Sequence, residues 1–161
     1  MTSSRLLPSR AGRAQLRLSL STDDASRGAR VRDVVRQLSR LPLVRGALLV
    51  APDGFVIEAA LPSSVEIEPL AALAAALGRE LEIHASRVGG TAFETAVFSA
   101  DDGALLIAVT PIGFVVVLGE QHANVSVLRS ALGEAVTLLR GAWEGADEAT
   151  TVRGATDLSG L

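Results

Sequence analysis

Few side chains in this chain of 161 residues can do chemistry: two histidines, 18 carboxylates and 15 basic residues, every one of the latter arginine. Cysteine, tyrosine and lysine are absent. That excludes a disulfide framework, a thiolate zinc site and a thiol nucleophile. It also excludes a Schiff-base lysine and a phosphate-loop lysine. His84 and His122 each lack a second ligand-type residue at i+3 or i+4 on their own element, apart from acids that pair by chance, so no metal site is expected. Asp101 and Asp102 precede Gly103 and read as turn formers, because Asp bonds its own backbone there. A catalytic carboxylate pair needs a cleft and a distant partner, which nothing in the sequence indicates. Gly89-Gly90 alone is too little for a phosphate cradle, and no G-x-S-x-G, G-x-G-x-x-G or G-K-[ST] occurs. The expectation is a protein that is not an enzyme in its own right and holds no cofactor.

Charge is unevenly placed. Residues 1–45 hold ten arginines against Asp23, Asp24 and Asp33, a balance of +7, while residues 46–161 hold five arginines against fifteen acids, a balance of -10. A basic head on an acidic body suggests contact with something anionic, the body of a neighbouring chain included. Residues 1–22 resemble a transit peptide in composition but suit a basic arm better, and the alternation of Leu16, Leu18 and Leu20 is a strand pattern. Residues 1–25 therefore read as a basic arm without fixed structure, 26–143 as the folded body and 144–161 as a mobile acidic tail. The arginines are not interleaved with aromatic residues, so no sequence-specific nucleic-acid surface is expected.

Within the body, Val31, Val34, Val35, Leu38 and Leu41 form one helical stripe that Pro42 stops. Gly46–Val50 and Phe55–Ile57 flank Pro52-Asp53-Gly54, which predicts a hairpin whose turn rests on Asp53 and Gly54. A second helix is expected over about 66–85. Thr91–Ala100 alternates like a half-exposed edge strand. Ala104–Val109 and Phe114–Leu118, joined through Pro111-Ile112-Gly113, read as two buried central strands. At seventeen uncharged residues broken by Pro111, Gly103–Gly119 is too short and too interrupted to span a membrane. Asn124 is a plausible cap for a last helix with the stripe Val125, Leu128, Leu132, Val136 and Leu139, ended by Gly141, with Trp143 packed back on the body.

The central helix is the informative element. Ile67, Leu70, Ala74, Leu77 and Leu81 share one face. The opposite face carries Ala72, Ala75, Ala76 and Ile83 with Arg79 among them, where water-facing charge would be usual. Two readings stand: a helix apolar on two sides packs on two sides, the second against another chain, or the alanines are simply good helix formers at the surface. One helix also covers one face of a five-stranded sheet poorly, which again points to a partner. Besides this binding reading, a small-molecule sensor remains an alternative, for which Thr95 and Thr110 are the few candidate polar groups.

"GALLVAPDGFVIEAA" (Gly46 to Ala60), "IEPLAALAAAL" (Ile67 to Leu77), "DDGALLIAVTPIGFVVVLGE" (Asp101 to Glu120) and the closing helix together resemble the Roadblock / dynein light-chain family over about residues 30–142. The resemblance implies an α/β (α+β) fold of order α-β-β-α-β-β-β-α, a five-stranded antiparallel sheet between helices in profilin-like layers. It implies a cytoplasmic homodimer made by pairing third strands and central helices. It further implies, for bacterial MglB-like members, binding of a Ras-like small GTPase across the paired helices and stimulation of its GTP hydrolysis without an inserted catalytic residue; other members are scaffolds or dynein-associated subunits. Carried over by position, Leu73, Ala76 and Glu80 approach the partner helix, Phe93, Thr95 and Val97 lie on the paired strand, and Ala72, Ala75 and Arg79 face the GTPase. The arginine-rich head departs from the family's usual pattern.

Overall fold

The computed structural model describes residues 10–90 and 92–156, with side chains over 25–90 and 92–144. In chain order the elements are α1 (Arg10–Ser39), β1 (Val44–Val50), β2 (Val56–Ala60), α2 (Ile67–Gly89), β3 (Thr95–Ala100), β4 (Gly103–Thr110), β5 (Gly113–Glu120) and α3 (Val125–Thr156). The strands form a single antiparallel sheet in the order β2-β1-β5-β4-β3. The expected α-β-β-α-β-β-β-α order and the mixed α/β class are what the molecule adopts.

Strand periodicity sorts the core into two layers. Ala47, Leu49, Leu106, Ala108, Val115 and Val117 point to one side and pack with Val34, Val35 and Leu38 of α1 and Leu128, Leu132, Ala135 and Leu139 of α3. Their neighbours Leu48, Val50, Ile107, Phe114 and Val116 point to the other side, where Ala71, Ala74 and Ala75 of α2 meet them. Continuous apolar runs in β1, β4 and β5 are thus explained by cover on both faces. The edges are β2 and β3, and β3 pairs only with β4 among the described residues.

Three boundaries differ from expectation. The first is the head: α1 begins at Arg10, so the strand pattern read at Leu16, Leu18 and Leu20 is corrected to helix. Arg, Ala, Leu and Gln are strong helix formers, and three alternating leucines cannot outweigh them. Residues 1–9 of the proposed arm lie outside the described residues. The second is the end of the last helix: α3 runs to Thr156 through Gly141, which keeps a helical backbone rather than the left-handed cap conformation, so residues 144–156 are helical. Residues 157–161 lie outside the described residues. α1 and α3 touch here, with the Arg27 guanidinium 5.7 Å from the centre of the Trp143 ring. The third is β3, which starts at Thr95 and leaves Phe93 before the strand. The cap at Asn124 is present, its Oδ1 accepting from the amides of Ser126 (3.1 Å) and Val127 (3.2 Å).

Candidate interaction surface

α2 sits on the sheet through its smallest side chains. Ala71, Ala74, Ala75 and Gly78 are its buried positions. A Cβ built on Gly78 would lie 2.6 Å from the Phe114 ring, about 1 Å inside ordinary carbon contact, so only glycine lets the helix lie this close. The sequence placed Ile67, Leu70, Ala74, Leu77 and Leu81 on this face; Ala74 is buried there, while Leu70 and Leu77 are only partly buried. Ile67 is exposed. Ala75, expected to face a GTPase, is corrected: it is 1% exposed and belongs to the core.

With the seat made by small residues, bulk goes outward. Leu73 (51% exposed) and Ile83 (47% exposed) bracket Ala76 and Glu80 in a stripe of i, i+3, i+7 and i+10 spacing. Glu80 holds His84 at 3.3 Å one turn on. Ala72 and Arg79 lie on the side of α2 that meets the β1–β2 turn. There the Asp53 carboxylate accepts from the Phe55 amide at 3.0 Å, and Gly54 takes φ 92°, a conformation that costs glycine nothing. A Cβ added to the same glycine would meet Ala72 and Ala75 at 3.9 Å. Arg79 donates to the Pro52 carbonyl, bracing the turn against the helix. It shares α2 with a second cation, Arg87, because the helix extends beyond the expected end at residue 85.

At the β3 edge, Thr95 and Val97 point to the α1/α3 side and are half-buried, while the outer backbone groups of the strand face away from β4. Phe93, expected on this strand with them, packs against the opposite layer under α2. Sequence reasoning missed Gly78, whose signal was a lone glycine inside an alanine run. It also missed Phe55, which it read as a strand residue and which stands 74% exposed just after the turn.

The groups offered for a sensor do come together. Thr95 and Thr110 line an open cavity of about 510 Å³ between β3, the β4–β5 turn and α3, along with Arg140. The Thr110 hydroxyl is already engaged, donating to the Gly113 carbonyl at 2.9 Å and accepting from the Ile112 amide at 3.3 Å. Among the described residues there is no group of three or more His, Asp or Glu able to hold a metal ion, and no helix long and apolar enough to cross a membrane.

A sequence model of the Roadblock/LC7 domain matches residues 30–118, more than half of the chain. The chain belongs to the Roadblock/LC7 family. It is similar to an uncharacterized protein of Methanocaldococcus jannaschii, 28% identical over 107 residues that make up 66% of this chain and 91% of the relative. In structure it resembles Myxococcus xanthus MglB, with a TM-score of 0.68 and 18% identity over 73% of this chain and 90% of that one. It also resembles the Roadblock/LC7 domain from Streptomyces avermitilis, with a TM-score of 0.62 and 23% identity over 68% of this chain and 93% of that one. These likenesses establish a Roadblock fold of the MglB type, a frame whose sheet edge β3 and outward α2 stripe lie next to one another in the chain.

Proposed function

We propose that this Roadblock/LC7 protein is a non-catalytic cytoplasmic regulator that homodimerises through α2 and β3 and binds a Ras-like small GTPase on the α2 face. The observation that supports the reading is the outward stripe of α2: Leu73, Ala76 and Ile83 are apolar, exposed and followed in the chain by a strand edge that carries no neighbour among the described residues. Unpaired edges template association, and large exposed side chains in a row are costly unless covered. Thr95 and Val97 then belong to the paired strand, and Leu73, Ala76 and Glu80 to the helix contact. Ala72 and Arg79 lie beside the GTPase.

A regulator of this kind acts by population shift. It binds one nucleotide-bound arrangement of the switch better than the other and lends it the difference in affinity. About 1.4 kcal/mol of difference moves the equilibrium tenfold. Arg79 is engaged with the Pro52 carbonyl, which argues against its use as an inserted arginine finger.

The test has two steps. Solution mass by light scattering is expected to show two chains, with Val97→Lys or Leu73→Arg shifting the mass towards one. The Ras-like GTPases of the source organism, loaded with GTPγS or GDP, are then titrated with the wild-type protein; at least one is expected to bind with a nucleotide preference. Equal binding of both forms favours a dimeric scaffold instead, and a monomer of unchanged mass at micromolar concentration overturns the reading.

A further inference from the structure

We infer that Phe55 is the aromatic anchor by which the GTPase is held, and that Arg79 is a positioning residue that acts through it. The inference rests on the reading above, that a GTPase binds beside Ala72 and Arg79, and adds which side chain grips it.

The ring is 74% exposed, the most exposed aromatic of the described residues. The backbone that carries it is hydrogen-bonded. The Ala51 amide donates to the Phe55 carbonyl at 2.8 Å, and the Gly54 amide donates to the Ala51 carbonyl at 2.9 Å. The Phe55 amide donates to the Asp53 carboxylate, and Arg79 donates to the Pro52 carbonyl. Four hydrogen bonds in five residues fix the backbone that carries the ring. A ring presented on a fixed backbone loses little freedom on binding, which is how aromatic anchors give affinity.

Position then selects the occupant. A Cβ added to Gly54 would meet Ala72 and Ala75 at 3.9 Å, and Arg79 bonds the Pro52 carbonyl, so the turn stands beside α2. The β1–β2 turn belongs to β1, which β5 and β4 separate from β3. Three interstrand steps of about 4.8 Å place it roughly 14 Å from the β3 edge. A second copy pairing at β3 does not reach the ring from the sheet edge, and the turn meets α2 on its Ala72/Arg79 side rather than along the Leu73, Ala76, Glu80 and Ile83 stripe, which leaves the ring to the partner proposed on that side. The ring asks that partner for an apolar pocket. The Asp53 carboxylate beside it asks for a hydrogen-bond donor on the rim.

The family resemblance sets Arg79 against the GTPase. Its guanidinium is instead bonded to the carbonyl two residues before Gly54. Its contribution to binding is therefore made through the geometry of the turn, and a lysine, which can still reach a carbonyl with one donor, retains part of it.

The test titrates each GTPγS- or GDP-loaded GTPase of the source organism with wild type, Phe55→Ala, Arg79→Ala, Arg79→Lys and the Phe55→Ala/Arg79→Ala double variant. Thermal stability and solution mass are measured alongside. Phe55→Ala is expected to weaken binding at least tenfold with mass and melting temperature unchanged. Arg79→Ala weakens it several-fold, Arg79→Lys less, and the double variant no more than Phe55→Ala alone. Wild-type binding that Phe55→Ala leaves intact overturns the anchor while the proposed function stands. Losses that add in the double variant overturn the positioning role of Arg79. A fall in mass with Phe55→Ala assigns the ring to the contact between copies and overturns the inference. Failure of wild type to hold any loaded GTPase overturns the proposed function and the inference together.

Discussion

Replacing Gly78 with alanine tests how α2 is seated. The new methyl would lie 2.6 Å from Cε1 and Cζ of Phe114 and 2.7 Å from Cδ1. Carbon atoms pack best at 3.5–4.0 Å, so helix and ring must part by about 1 Å. Phe114 cannot turn aside cheaply, because it is 1% exposed and its own layer contains Val50, Ala74, Ile107 and Val116. Overpacking a closed core costs about 1–3 kcal/mol. Alanine returns about 1 kcal/mol of helix propensity over glycine. The balance is a loss of up to about 2 kcal/mol, measured by urea unfolding at one fixed protein concentration, because association would otherwise shift the midpoint. Phe114→Leu in the same molecule should recover part of the Gly78→Ala loss, since the two side chains meet and their effects should not add. A Gly78→Ala protein more stable than wild type by the roughly 1 kcal/mol that helix propensity alone supplies would show that α2 does not rest on the ring and would refute the account of its outward stripe.

Other outcomes follow from single contacts. Asn124→Ala removes the acceptor for two amides at the start of α3 and should cost about 1 kcal/mol by the same unfolding measurement. Asp53→Ala frees the Phe55 amide, and a loss of about 1 kcal/mol with faster hydrogen exchange confined to residues 53–55 is expected. Deleting residues 1–25 removes Arg5, Arg10, Arg13 and Arg17 and should weaken retention on an anionic matrix and reduce its salt dependence; unchanged retention would mean these four arginines make no such contact.

Much of the architecture was legible because its signals are strong and local. Asp53-Gly54 between two apolar runs has one economical solution, a hairpin turn, and Pro42 leaves α1 little room beyond Ser39. The continuous apolar runs at Ala104–Val109 and Phe114–Leu118 could be satisfied only by strands covered on both faces. The seat of α2 was less legible. Periodicity chose Ile67, Leu70, Ala74, Leu77 and Leu81, of which Ala74 is buried, whereas the closest contact is made where side chains are nearly absent, at Ala71, Ala74, Ala75 and Gly78. That error of orientation put Ala75 on the surface. The ends of α1 and α3 were misread for a related reason. Helix there follows from the propensity of individual residues and from the contact of one helix with the other, neither of which leaves an apolar stripe of the kind that periodicity detects. Arg79 and Phe55 could not be joined from sequence at all, because only the folded chain brings helix and turn together.

The glycine-and-alanine seat has a consequence for how such a protein can change. Because the hold on the sheet comes from atoms next to the backbone, the side chains that look away from it contribute little to keeping the helix in place. Leu73, Glu80 and Ile83 are therefore free to be exchanged for others with small effect on folding. One framework can thus be re-addressed to new associates by repainting a few outward positions.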